Sequence, residues 1–272
     1  MVSGAGLKTV AAAGVLAAAV GGAVIARADD PSARVAQAGG GLALLTTEGS
    51  ADQTLMVDRP ALAGATDKLK VANNSKKALT VTVTARPWTQ SASGVVAPNR
   101  RATLGGVTVS ERSFALDPGA TKDLTVALPS VPSSGYLYGA LEVVGVPADI
   151  ASSKGVVAGY RLLNSLRYNA ATATYGLKAG AAKIAGKGKD KTLTLSVRNT
   201  GNTIAPVSGT VKLKGALGTK NGAIKATRIL PGKSVSLGLA ALSSVRAGSY
   251  TATVTLIQNK KKTSLTKKIT VR

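Results

Sequence analysis

The chain has 272 residues, room for one large domain or two small ones. It contains no Cys and no His, which excludes thiol chemistry, disulfides, the common His/Cys zinc sites and every His-based catalytic triad. Thirty-five basic side chains against 12 acidic ones give a net charge of +23. That surplus favours anionic partners such as nucleic acid, envelope polymers or membrane surfaces. A single Trp, a single Phe and six Tyr argue against single-stranded nucleic acid, which needs stacking platforms.

The N-terminus has the grammar of a signal peptide over residues 1–28. Lys8 supplies the positive n-region, an Ala/Val/Gly-rich run follows over residues 9–25, and Ala26 and Ala28 sit at the small-residue positions of a cleavage site. An uncleaved membrane anchor is the alternative, but the run is short and rich in Gly and Ala, which favours cleavage. The expectation is a secreted mature protein that starts near Asp29 and relies on its core rather than on disulfides.

Beyond that point the sequence alternates with a period of two. Residues 77–88, "KALTVTVTARPW", set Leu79, Val81 and Val83 against Thr80, Thr82 and Thr84. Leu124, Val126 and Leu128 share one face, as do Leu193, Leu195 and Val197, and then Tyr250, Ala252, Val254 and Leu256. Such segments are half-buried antiparallel strands with Thr on the solvent face. Turn signals separate them: "NNSKK", "DPGA", "NTGN", "TKNG" and "LPGK". "QNKKKT" near the end looks like a hairpin turn. The expected fold class is all-β, two tandem Ig-like β-sandwiches after the signal peptide.

Charge divides the chain. Residues 1–150 carry 13 basic and 11 acidic side chains, whereas residues 151–272 carry 22 basic and one acidic, Asp190. The segment "NAATATYGLKAGAAKIAGKGKDK" between the halves has the composition of a linker or opening loop. The expected domains are therefore residues 29–170 and a strongly basic 171–272. The halves share a pattern: strand, Asn-containing turn, strand, then an apolar residue with Pro-Gly, then further strands. Pro118-Gly119 corresponds to Pro231-Gly232, and Gly135-Tyr136 to Gly248 and Tyr250. Each Pro-Gly should form a type II turn, with Pro presetting φ and Gly accepting a positive φ.

This pattern resembles a known group. "V-x-N-x-S" over residues 71–75, "PW…G" over residues 87–94, the Pro-Gly turn and "P-x-x-G-Y-x-x-G-x-L-x-V" over residues 132–143 resemble the peptidoglycan-binding domain of WxL-interacting cell-surface proteins. The second half, from "V-x-N-T-G" through "ILPGKS" to "AGSYTATVTL", resembles the Ig-like domain that follows it there. The resemblance spans residues 42–271 and implies a non-enzymatic protein of the bacterial surface, with one domain on peptidoglycan and the other on a partner surface protein. Members of that family usually end in a transmembrane helix. This chain ends in a strand-like segment at Arg272, so retention is expected through wall binding and membrane contact only peripherally.

Candidate sites follow. "GKS" at residues 232–234 fails as a phosphate loop: Thr227 stands where the first Gly is needed, Pro231 precedes Gly232, and a strand pattern follows instead of a helix. Glu142, Asp117 and Asp123 have ordinary strand or turn explanations, so no paired carboxylates for hydrolysis are expected. No enzyme activity, metal or cofactor is expected. A ligand or partner surface is expected at Arg86, Trp88, Arg100 and Arg101, where an aromatic plane and forked donors fall close in sequence. The alternative is that Trp88 caps the core. Tyr136 and Tyr138 share a strand face and are added to that surface, and the nearby Gly139 would suit close approach by a partner strand. Lys187, Lys189, Lys191, Lys212, Lys214, Lys260, Lys261 and Lys262 are the candidate anionic-polymer surface; solubility and edge protection are the alternative. The reading is a secreted envelope-binding protein, an adhesion or scaffold module for wall polymer or a surface protein. The competing reading is an exported pilus-chaperone-like assembly factor acting by strand addition.

Overall fold

The alternating segments fold as strands. The structure, a computed structural model, describes residues 41–46, 55–152 and 157–272 and the backbone of two further strands, Ala23–Ala26 and Arg34–Ala38. The signal-peptide reading of residues 1–28 lies outside the described residues, apart from the backbone of the first of these strands.

In chain order the first half contains β1 (Ala23–Ala26), β2 (Arg34–Ala38), β3 (Leu42–Thr46), β4 (Leu55–Pro60), β5 (Ala65–Asn73) and β6 (Leu79–Gln90). It continues with β7 (Val96–Pro98), β8 (Thr108–Val109), β9 (Ser113–Leu116), β10 (Thr121–Leu128), β11 (Leu137–Pro147) and β12 (Tyr160–Asn169). The second half contains β13 (Leu177–Ala185), β14 (Thr192–Asn199), β15 (Pro206–Gly215), β16 (Gly218–Arg228), β17 (Ser234–Ala241), β18 (Gly248–Gln258) and β19 (Lys261–Val271). The chain is all-β and Ig-like; the described residues hold no α-helix and one 3-10 turn at Gly188–Asp190.

Two pairs of sheets result. The first pair has the orders β1-β2-β3-β5-β10-β8 and β4-β12-β11-β6-β7, with β9 also on β6. The second pair has the orders β13-β14-β17 and β16-β15-β18-β19. Each pair encloses its own apolar core. Leu69, Val71, Leu79, Val81, Val83, Leu124, Val126, Leu141 and Val143 belong to one, and Leu193, Leu195, Val211, Leu213, Val254 and Leu256 to the other. Strand β6 shows why: Leu79, Val81, Val83 and Ala85 are buried while Thr80 and Thr82 face solvent, the consequence of a two-residue period.

Asn73 and Asn199 perform the same task in the two halves. Both are fully buried. The Asn73 side-chain amide donates to the carbonyls of Lys77 and Leu116, both at 2.8 Å. That of Asn199 donates to Thr203 and Ile229, both at 2.7 Å. Each backbone carbonyl accepts from the Gly of a Pro-Gly turn, Gly119 at 2.8 Å and Gly232 at 2.9 Å. Those turns close with Ala120 N–H on Asp117 and Lys233 N–H on Leu230, and both glycines have φ of 74°, so both are type II. "GKS" is thereby the end of a strand-joining turn.

Three expectations need correction. The supposed linker contains a strand: β13 pairs with β14, and Leu177, Ala179, Ala182 and Ile184 pack on the second core across a bulge. Its Ala/Gly content hid an alternation that the bulge interrupts. The Tyr pair is also offset. Leu137 and Tyr250, each nineteen residues beyond its turn proline, are the buried counterparts, while Tyr136 precedes its strand. Lys187, Lys189 and Lys191 would share one face, by parity, only if their segment were extended, and they do not, because Gly188–Asp190 coils into the 3-10 turn. The hairpin at residues 258–261 does form: Asn259 and Lys260 both take positive φ, as a two-residue turn between twisted strands requires.

Candidate binding surface of the first sandwich

Two side chains of the first sandwich tie it to the second. Beyond Trp88, the β6–β7 hairpin projects Gln90 toward residues 228–230. The Gln90 side chain donates to the Arg228 carbonyl at 2.8 Å and accepts from the Leu230 N–H at 2.9 Å. The Ser236 N–H bonds the Ala92 carbonyl at 2.7 Å, and Gly94 lies against Val235. On the other side the Tyr138 hydroxyl donates to the Asn202 carbonyl at 3.1 Å and lies 3.2 Å from Asn169 Oδ1. Burial, and next the neighbouring Tyr136 and Asp58, push the Tyr138 hydroxyl up to about 12. Tyr136 stacks on Tyr138 with centroids 5.2 Å apart. The two tyrosines therefore belong to the joint between the sandwiches.

The outward face of the β12-β11-β6 sheet carries a charged cluster centred on Glu142. Its cross-strand neighbours are Thr84 on β6 and Leu163 on β12. The residue is 3% exposed. Arg86 Nε lies 3.0 Å from Oε2; Arg161 Nε and Arg100 Nε lie 3.0 and 3.5 Å from Oε1. An ionised carboxylate buried without such partners would cost several kcal/mol, about the penalty of an unpaired buried ion. Alternation on a strand gave no hint of this burial, because Glu142 is buried on the outward face by arginine side chains rather than by the core. Arg86 and Arg100 do come together, as their proximity in sequence suggested. Arg161 was missed: 61 residues further on in sequence than Arg100, it is brought in by β11–β12 pairing.

The other expected members fall elsewhere. Arg101 is exposed and makes its described bond through its backbone N–H, to Asn99. Trp88 pairs with Pro98 on the hairpin, is half-buried and is not part of the core cluster. Gly139 is needed for close packing, but within the chain. A Cβ there would lie 2.5 Å from the Arg86 carbonyl and 2.4 Å from Leu104. Because β11 is paired on both edges, no partner strand can add at Gly139.

Among the described residues, β12 has an edge that is only half covered. Its second half, from Ser165 onward, is covered by β4 in parallel register. Residues 160–164 pair with β11 on one side and, among the described residues, with no strand on the other. Tyr160 and Leu162 lean on the core, and Arg161 and Leu163 point outward with Glu142.

In the second sandwich, cross-strand register gathers lysines on the outer face of β15, β18 and β19. Lys214 lies opposite Thr251, which lies opposite Lys268; Lys212 lies opposite Thr253, and Lys262 opposite Ile257. Lys268 belongs with this group. Lys260 occupies the hairpin turn, the Lys261 ammonium donates to the Tyr175 carbonyl, and the Lys191 ammonium donates to the terminal Arg272 carbonyl. Among the described residues there is no group of three or more Asp or Glu that could hold a metal, and no helix long and apolar enough to cross a membrane.

No family model and no curated protein matches the chain. Several solved structures are similar in fold. The class 5 fimbriae chaperone CfaA is 15% identical, with a TM-score of 0.43 over 78% of this chain and 95% of that one. The YadV chaperone is 14% identical, with a TM-score of 0.42 over 85% and 99%. The E. coli chaperone DraB is 17% identical, with a TM-score of 0.38 over 80% and 94%. Likenesses at this level carry no functional argument.

Proposed function

We propose that this chain is an exported, non-enzymatic binding protein that holds a protein partner by strand addition, in the manner of a pilus-chaperone-like assembly factor. The observation that carries the reading is the half-open edge of β12. Residues 160–164 are fixed by β11 on one side, next to a half-strand already capped by β4, and among the described residues no strand pairs their other edge, which would take an incoming chain. Main-chain pairing there would be flanked by the outward Leu163 and Arg161. The joint through Gln90 and Tyr138 supports the same reading, since a rigid two-sandwich frame presents that edge at a fixed angle. Export rests on the signal-peptide grammar of residues 1–28. The test is a photocrosslinking residue at Leu163 in producing cells, with Thr253 as control. One exported protein captured in stoichiometric amount from Leu163 and not from Thr253 supports strand addition; labelling from Thr253 alone, or from neither, rejects it.

A second reading concerns the other sandwich. Lys212, Lys214, Lys262 and Lys268 share one flat face with Thr251 and Thr253, and the only acidic side chain among residues 151–272 is Asp190. Such a face suits an anionic wall polymer, held by attraction that is screened within about 8 Å at physiological salt.

A further inference from the structure

Three arginines converge on one buried carboxylate, and two positive charges remain over. Arg86 is engaged through two of its nitrogens: its Nε meets Glu142 Oε2, and one terminal nitrogen donates to the carbonyls of Arg100 at 3.0 Å and Ala102 at 3.3 Å. That single pair neutralises Glu142. Arg100 and Arg161 both reach the remaining oxygen through Nε, so their guanidinium groups are neighbours. The Arg161 contact is a matter of charge alone: its buried Nε and Glu142 Oε1 lie 3.0 Å apart, yet neither has an aligned hydrogen bond. Most other carboxylates of this sandwich are engaged elsewhere. Asp58 is held by Arg167, Asp67 by Arg59, Glu111 by Lys122, Asp123 by Lys70 and Asp149 by Lys77.

A guanidinium is a planar fork of five donors: one terminal nitrogen shares the Nε edge, and the end-on edge formed by both terminal nitrogens faces about 120° away from it, turned from a carboxylate met through Nε. Side by side, the outward edges of Arg100 and Arg161 can grip an oxyanion from two directions. Their side chains are 59% and 37% exposed, so a ligand can reach them. We propose that these two edges form a carboxylate site for an acidic peptide segment, with Glu142 as the buried anchor that holds the like-charged arginines together. The location rests on the strand-addition reading, because Arg161 is an outward residue of the open half of β12. The carboxylate can come from an Asp or Glu side chain or from a chain terminus.

The test uses the whole chain with its arginine Nε atoms followed by NMR. Three probes are titrated: acetyl-Thr-Glu-Thr-amide, acetyl-Thr-Gln-Thr with a free C-terminus, and acetyl-Thr-Gln-Thr-amide. The expected result is that one or both carboxylate peptides shift the Arg100 and Arg161 signals, their difference naming the source, while the neutral peptide shifts neither. Arg100→Gln and Arg161→Gln should each weaken binding about tenfold, the worth of one charge-assisted hydrogen bond, and Lys233→Gln should not. Arg100 sits outside the regular strands, so Arg100→Gln keeps the fold even if Arg161→Gln loosens it. Equal shifts from the neutral peptide, responses confined to lysines, or full affinity in Arg100→Gln overturn the site. Backbone protection of residues 160–164 by a crosslinked partner is read separately. Protection retained without any carboxylate response sinks this site and leaves strand addition standing; loss of protection sinks strand addition first.

Discussion

The Gln90 side chain clasps Leu230 across the joint, accepting its N–H at 2.9 Å while donating to the Arg228 carbonyl at 2.8 Å. One neutral amide thus satisfies a donor and an acceptor of the second sandwich from the tip of a hairpin of the first. Leu230 is buried, so its N–H has no cheap alternative partner. Gln90→Ala should loosen the joint and cost about 1–3 kcal/mol, the penalty for orphaned buried polar groups. Gln90→Glu keeps the acceptor for Leu230 but sets a carboxylate against the Arg228 carbonyl, and it should loosen the joint too. Small-angle scattering checks this: a broader distribution of inter-sandwich distances is expected for both variants, with each sandwich still folded.

Asn73 and Asn199 should be among the most sensitive positions in the chain. Each donates two side-chain hydrogen bonds from a fully buried site. Asn→Ala at either should cost about 2–4 kcal/mol through two orphaned carbonyls. Asn→Asp should be at least as harmful, since an ionised carboxylate cannot donate to either carbonyl. Urea unfolding checks both, and the Asn199 variants should lower the midpoint of the second sandwich specifically.

Gly119 and Gly232 isolate a purely conformational effect. Both have φ of 74°, and a Cβ added at either would meet nothing within 4 Å. Gly→Ala should therefore cost about 1–2 kcal/mol from the left-handed backbone alone, and Gly→Asn distinctly less. Lys233→Ala beside Gly232 should be close to neutral by thermal denaturation, since Lys233 is exposed and serves the fold through its backbone.

Alkali should weaken the joint and the first core. Tyr138 is pushed up to about 12 by burial first, and Tyr168 is raised further by burial and by Asp67, which accepts its hydroxyl at 3.1 Å. In both cases the folded state holds the proton more tightly than the unfolded state. The stability this gives is complete below the ordinary tyrosine value of about 10 and is lost as pH climbs toward the folded values. Tyr138→Phe should flatten part of the decline in stability above about pH 10, at the cost of the bond to Asn202 at every pH. Urea midpoints across the alkaline range for both chains measure the difference.

Much of the fold was legible because strands bury alternate residues. Leu79, Val81 and Val83 announce their face against Thr80 and Thr82, and the paired Pro-Gly turns announce their conformation. β13 was not legible, because a bulge resets its alternation and its small residues read as linker. The cluster at Glu142 was half legible. Arg86 and Arg100 are close in sequence, but Arg161 and the buried acid meet them only through pairing of strands far apart in the chain. The layout of the basic surface was hidden for a related reason: charge counts do not say that Lys191 and Lys261 bind carbonyls while Lys212, Lys214 and Lys268 share one face.

Hydrogen exchange at residues 160–164 tests strand addition most directly. In the free protein the alternate amides of residues 160–164 that face away from β11 should exchange faster than the corresponding amides of residues 165–168, which β4 and β11 enclose. With the Leu163-crosslinked partner bound, residues 160–164 should become protected to the level of their neighbours while β14 and β18 are unchanged. Protection already complete in the free chain, or no gain of protection with the partner bound, would contradict strand addition at this edge.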